Sequence, residues 1–251
     1  FTISNTMATP PTFENLGVNL QTGPEGNVYI AWSASNGYGT NNLRLIFSRS
    51  TDGGVSWLPI AKEVLTVNGL LNNLGGGKTM RYRSLPSMTV NQQTGTIYMV
   101  WANKGAIGGG SSDGDIYMIK SNNYGDDWSS TPIIVNQDAT NTDQWSPWIA
   151  CDEISNALVC CYYGSQDCIS QNNDCANTYV AISYDDGNTW SDYKISGEEW
   201  DGDGMSWSAD YYAGDYIGVD VYHGLAVPVW SDKRSSAGGE FWAYTNPFEV
   251  P

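Results

Sequence analysis

The sequence predicts an all-β chain built as a repeat, and three observations predict it. The skeleton Ser-x-Asp-x-Gly-x-x-Trp occurs at Ser50 to Trp57 and Ser183 to Trp190, and again at Ser121 to Trp128 with Asn123 in the Asp position. An apolar run recurs at Gly26 to Trp32, Gly95 to Trp101, Asn156 to Tyr162 and Gly224 to Trp230. These four runs lie roughly 60–70 residues apart, a period that suits four strands with generous loops. Finally, 28 Gly together with Asn, Ser, Thr and Asp supply turns, and no long run keeps a helical period.

The motif reads as a stapled hairpin turn. Asp or Asn accepts hydrogen bonds from the turn's own backbone, and Gly takes the φ > 0 position that β-branched residues avoid. Ser50, Asp52, Gly54 and Trp57 fill these roles in the first copy. Ser121, Asn123, Gly125 and Trp128 fill them in the second, and Ser183, Asp185, Gly187 and Trp190 in the third. A Gly187→Val substitution at φ > 0 is expected to destabilise by roughly 1–3 kcal/mol.

Along the chain, residues 1–15 read as irregular around Pro10 and Pro11, with Phe1 to Asn5 a candidate closing strand for the last repeat. The first repeat covers about 16–67, with strands near Gly17 to Leu20, Val28 to Ser33, Leu43 to Arg49 and Ile60 to Val67. The second, about 83–136, places strands at Ser87 to Asn91, Thr96 to Ala102, Asp115 to Ser121 and Ile133 to Asn136. The third, about 145–196, places them at Trp148 to Cys151, Ala157 to Tyr163, Thr178 to Tyr184 and Tyr193 to Ser196. The fourth, about 210–250, has Tyr216 to Val221, Leu225 to Ser231 and Glu240 to Tyr244, and then no turn motif. A single domain over 1–251 accounts for all four.

The charge balance narrows the partners. With 27 acidic and 11 basic residues the net charge is −16, a field that repels nucleic acid and anionic membrane. No stretch approaches 18 consecutive apolar residues. The chain opens on Phe1 without a signal-peptide pattern, which reads as a processed or trimmed chain. All five cysteines fall in the third repeat. Cys168 and Cys175 bracket a polar loop that a disulfide would staple, and Cys151 lies across a turn from Cys160 and Cys161, either of which is a candidate partner. Buried thiols are the alternative for these strand cysteines. Disulfides, if formed, point to an extracellular home.

The three turn motifs resemble the Asp-box, the BNR repeat of bacterial sialidases. The resemblance implies an all-β propeller with four visible four-stranded blades, closed on themselves or part of a larger, six-bladed ring. In such a blade the turn joining strands three and four lies opposite the loops that join strands two and three and consecutive blades. The Asp-box residues are therefore read as structural, and function is expected at the other end.

There the connection Gly197 to Asp215 interleaves Glu198, Glu199, Asp201, Asp203 and Asp210 with Trp200, Trp207, Tyr211 and Tyr212. Ring faces stack on sugar C–H surfaces while carboxylates accept from hydroxyls. The ligand-binding set expected is Trp145, Trp200, Trp207, Asp210 and Tyr211, with loop packing an equal alternative for Trp200 and Trp207. Asp201-Gly202-Asp203-Gly204 offers oxygens to Ca2+ but lacks a downstream Glu, so a solvated acidic turn is the simpler reading.

A sialidase, as the resemblance implies, needs three arginines, a Tyr–Glu nucleophile pair and an acidic acid/base. Arg81, Arg83 and Arg234 are the candidates for the first, and Tyr211 with Glu199 for the second, while no Asp is assignable as the third. Arg81-Tyr82-Arg83-Ser84-Leu85-Pro86 resembles the family's Arg-Ile-Pro motif with one extra residue. The function expected is thus a secreted, non-catalytic binding or adhesion module for glycans or extracellular proteins, requiring no cofactor. The alternatives are a sialidase-type glycoside hydrolase, or a fragment of one, and a structural subunit that associates with itself or with missing blades.

Overall fold

The computed structural model describes residues 14–35, 37, 42–69, 74, 84–105, 107, 113–168, 175–201, 216–234 and 241–250. Seventeen strands form four antiparallel sheets, and no helix occurs among the described residues. Sheet 1 holds β1 (Glu14–Thr22), β2 (Val28–Ser35), β3 (Asn42–Ser50) and β4 (Lys62–Asn68) in sequence order. Sheet 2 repeats the plan with β5 (Ser87–Val90), β6 (Ile97–Lys104), β7 (Gly114–Ser121) and the short β8 (Ile133–Ile134). Sheet 3 has β9 (Gln144–Cys151), β10 (Leu158–Gly164) and β11 (Cys175–Ser183), with β12 (Ser191–Lys194) and β13 (Trp200–Asp201) both on the far edge of β11.

Sheet 4 departs from the plan. It holds β14 (Gly218–Tyr222), β15 (Leu225–Asp232), β16 (Trp242–Thr245) and β17 (Phe248–Glu249), and β16 and β17 pair with opposite ends of the same strand, β15. Asn246-Pro247 separates them, and Pro has no N–H to continue the ladder. Three strand positions are therefore filled among the described residues. The closing strand expected at Phe1 to Asn5 lies outside them.

The first strands of the sheets pack in series, β1 on β5, β5 on β9 and β9 on β14, which places them around a common axis with the later strands radiating outward. The four sheets are blades of a β-propeller. Its core lies between blades rather than within one. Tyr29, Phe47, Met88, Met99 and Trp101 fill the space around sheets 1 and 2, while Tyr98, Met118, Trp145, Leu158 and Tyr162 belong to a cluster running through sheets 2 to 4. In the first three sheets the second strand is buried along nearly its whole length, so it opens on a continuous apolar run instead of alternating.

Cysteine pairing is settled for one bridge. Cys168 and Cys175 form a disulfide that closes the β10–β11 connection. Cys151, Cys160 and Cys161 are free thiols, which corrects the expected pairing across the turn. The register is the reason: Leu158 lies opposite Cys151, while Cys160 faces Ile149 and Cys161 faces Trp148.

Candidate functional site

Strand alternation gives the propeller two unlike ends. At one end lie the turns joining first to second and third to fourth strands, including all three Ser-x-Asp/Asn-x-Gly-x-x-Trp turns. Ser50 Oγ, Ser121 Oγ and Ser183 Oγ accept from the N–H of Gly54, Gly125 and Gly187 at 2.8, 2.9 and 3.0 Å. Asp52 accepts from Ser56 N and Oγ at 2.8 and 2.6 Å, and Asp185 from Thr189 N and Oγ1 at 2.8 and 2.7 Å. These hydrogen bonds to the charged form hold both carboxyls down to about 2. Asn123 accepts from Asp127 N in the same way at 2.8 Å. The motif's Ser and Asp or Asn side chains thus spend their acceptors within their own turn.

The turns also join blades. Arg49 donates to the Tyr124 carbonyl at 2.9 Å and Lys120 to the Asp186 carbonyl at 2.8 Å, each reaching from one blade to the next blade's turn. A Cβ on Gly125 would meet the Phe47 ring at 2.2 Å, and one on Gly187 would meet Met118 Cε at 2.3 Å. Positive φ at these positions, 84° and 76°, completes the case for Gly. Trp128 packs edge-on against Phe47 at 5.3 Å, and Trp190 Nε1 donates to the Gly187 carbonyl at 3.1 Å.

The opposite, loop end is chemically different. Where β7 begins and the β8–β9 connection crosses it, one buried amide gathers several acceptors. Asn136 Nδ2 lies 3.0 Å from Asp115 Oδ1, 2.8 Å from Asp138 Oδ1 and 3.1 Å from Gln144 Oε1, while Asn136 Oδ1 accepts from Ile116 N at 2.8 Å. Asp143, 2% exposed, accepts from Gly114 N at 2.9 Å. Burial, reinforced by Asp113, Asp138 and Asp143, pushes the Asp115 carboxyl up to about 6 against the lowering effect of Asn136. It therefore holds or gives up its proton near neutrality. Nearby, Asp192 accepts from Tyr162 Oη at 2.7 Å and Gln137 N at 2.6 Å, and burial raises it as well. Such a set can donate to and accept from hydroxyl groups.

Several residues expected at this end do other work. Trp145 is fully buried against Tyr163, with centroids 5.8 Å apart, because β9 starts at Gln144 rather than Trp148 and draws the ring into the core. Trp200 is 3% exposed and sits edge-on to both Tyr163 and Phe241, because β13 pairs it with Ala176. Neither ring offers a face for a sugar: this corrects the expectation for Trp145, and for Trp200 it is the packing alternative. Arg234 Nε lies 2.9 and 2.8 Å from the two Asp232 oxygens, and its guanidinium stacks over Tyr244 at 4.3 Å. Glu199 is half-buried just before β13. Arg81, Arg83, Asp203, Trp207, Asp210 and Tyr211 lie outside the described residues.

Asp201 contributes its backbone to β13, and no group of three or more His, Cys, Asp or Glu among the described residues is arranged to hold a metal. Asp115, Asn136, Asp138 and Gln144 were not singled out as a set from sequence. Asp113-x-Asp115 and Asn136-x-Asp138 are visible as pairs, but only strand pairing brings them together.

No family model and no curated protein matches the chain by sequence. Solved structures do match the fold. A Hadza microbial sialidase, Hz136, superposes with a TM-score of 0.63 at 17% identity, over 94% of this chain and 45% of that one. The α-L-arabinofuranosidase Arb93A of Fusarium graminearum gives 0.55 at 16% identity over 96% and 65%, and a leech intramolecular trans-sialidase 0.62 at 11% over 95% and 51%. The chain thus spans about half to two thirds of these proteins. Its fold is the β-propeller that these structures share.

Proposed function

We propose that the chain is a secreted glycan-binding module, an Asp-box propeller that receives neutral sugars at its loop end. The observation that carries this reading is the Asp115–Asn136–Asp138–Gln144 network, in which the buried amides of Asn136 and Gln144 hold two partly exposed carboxylates, Asp115 and Asp138, that suit sugar hydroxyls. Its charge argues against sialosides. Arg44, Arg49 and Arg234, the arginines among the described residues, are paired with Glu63, Asp126 and Asp232, and the net charge of −16 disfavours an anionic ligand. The Cys168–Cys175 disulfide supports an oxidising home. The reading needs no cofactor, so EDTA leaves binding unchanged.

A glycoside hydrolase is the second reading, favoured by Asp115, whose raised value suits a proton donor. A glycan array carrying neutral and sialylated sugars, run beside fluorogenic arabinofuranosides and sialosides, separates these. Binding of neutral glycans that is lost in Asp138→Ala without turnover supports the module. Turnover that falls with Asp115→Asn supports the enzyme. Exclusive binding of sialylated glycans overturns the neutral-sugar reading.

A further inference from the structure

One position in β10 is glycine for reasons of space rather than of backbone. Gly164 ends the strand, paired with Gln144 of β9 on one side and Asn177 of β11 on the other. Its φ is not left-handed, so no conformational demand asks for glycine there. A Cβ would instead meet Gln166 Oε1 at 2.2 Å and Gln144 Cγ at 3.3 Å. Glycine inside a strand often marks a close approach, and here the amide of Gln166 folds back over it.

That amide completes a chain of donors and acceptors that runs one way. At one end Ile116 N–H, which can only donate, takes Asn136 Oδ1, so Asn136 Nδ2 must face Asp115, Asp138 and Gln144 Oε1. Gln144 Nε2 then donates to Gln166 Oε1 at 3.2 Å and to Thr142 Oγ1 at 3.4 Å. Gln166 Nε2 lies 3.5 Å from Tyr162 Oη, whose own proton goes to Asp192 at 2.7 Å, so that oxygen accepts. Turning either glutamine amide round would set donor against donor. Gln144 is fully buried, while Gln166 is half-buried on a segment tied down on both sides. Ser165 N donates to the Asp143 carbonyl at 3.0 Å and Ser165 Oγ to the Cys175 carbonyl at 2.6 Å, and the Cys168–Cys175 disulfide closes the loop behind them.

We propose that Gln166 is a positioning residue of the loop-end site, seated over Gly164 and acting through Gln144 to hold Asn136 against Asp115 and Asp138. The ligand given to those carboxylates rests on the glycan-binding reading, and the relay itself does not. The relay runs between the second and third blades, both interior to the run of four.

NMR titration of the Asp115 carboxyl carbon in the 251-residue chain, beside binding to an array of neutral glycans, tests this. Gln166→Met keeps the length of the side chain and its lack of charge but removes the acceptor, so Gln144 turns its Nε2 on Asn136 and loosens it. Asn136 lowers Asp115, so the Asp115 midpoint should rise above about 6. Binding of neutral glycans should weaken roughly tenfold, the equivalent of one hydrogen bond. Asp113, Asp138 and Asp143, the carboxyls that face Asp115, are untouched in every variant. Gly164→Ala should have the same two effects by lifting the Gln166 amide off its seat, and the double variant should do no more than either alone. A Gln166→Met chain that circular dichroism shows folded, and whose Asp115 midpoint stays put, overturns the proposal whether or not glycans bind. Additive effects of the two substitutions also overturn it. If Gly164→Ala fails to fold, Gln166→Met alone decides. A wild-type chain that binds no glycan on the array, with the midpoint still rising in Gln166→Met, retires the glycan reading and keeps the relay.

Discussion

The two ends of the propeller obey different rules. At the turn end the same hydrogen bonds recur in three blades at nearly the same distances, and the second and third turns are gripped by the blade before them. At the loop end the described residues differ from corner to corner: the Asn136 network belongs to one, and Trp145 and Trp200 are drawn inward at another. The repeated chemistry joins neighbouring blades, and the unrepeated chemistry is where the proposed ligand is placed.

The largest effect expected tests whether the loop-end rings are core. Trp200→Ala should cost about 3–5 kcal/mol, read as a fall in the chemical-denaturation midpoint. A change of under about 1 kcal/mol would return Trp200 to the ligand-contacting set.

At the turn end, one substitution in three blades gives a graded series. Gly125→Val should cost most, on the order of 3–4 kcal/mol, because the Phe47 ring at 2.2 Å cannot yield along its plane. Gly187→Val meets the flexible end of Met118 and should cost about 2–3 kcal/mol. Gly54→Val carries only the strain of φ 90°, about 1–2 kcal/mol. Equal costs at all three would show that backbone strain alone governs these glycines.

Smaller effects separate the two ends by pH. Asp52 and Asp185 are held at about 2 in the folded protein, below their ordinary 3.8, so their contribution is present above pH 4 and is lost as the pH falls to 2. Asp185→Asn, which copies the natural Asn123 turn, should flatten that acid limb in thermal melts. Asp115 has the opposite sign. Its folded value of about 6 lies above 3.8, so its contribution is full below pH 4 and is lost as the pH rises through 6. Asp115→Asn should remove that decline, and a melting curve that still softens between pH 4 and 6 would place the titrating group elsewhere.

The same division explains what the sequence makes legible. Gly54, Gly125 and Gly187 announce positive φ because a turn of eight residues is a local object, and the apolar runs announce second strands because burial on both faces leaves few polar positions. The loop end is a product of pairing. Asp115 and Gln144 meet only through Asn136, from a third stretch of chain. Trp145 is buried because β9 begins at Gln144, four residues before Trp148, with positive φ at Ser146 and a register shift opposite Cys161 and Tyr163. Trp200 is carried inward by two residues of strand next to a disulfide-bonded Cys175. Composition shows that aromatic rings abound here, but not which of them the ladder will take.

The three unpaired thiols give the central blade a chemical clock. Cys160 and Cys161 are 0% exposed on successive positions of β10, and burial raises both far above the ordinary thiol value, while Cys151 at the end of β9 is pushed up to about 12. An alkylating reagent can therefore react with Cys160 or Cys161 only in molecules whose third sheet has come apart. Pulse labelling followed by mass spectrometry would then time the opening of that blade alone, with no engineered probe, and would tell whether the ring yields blade by blade or all at once.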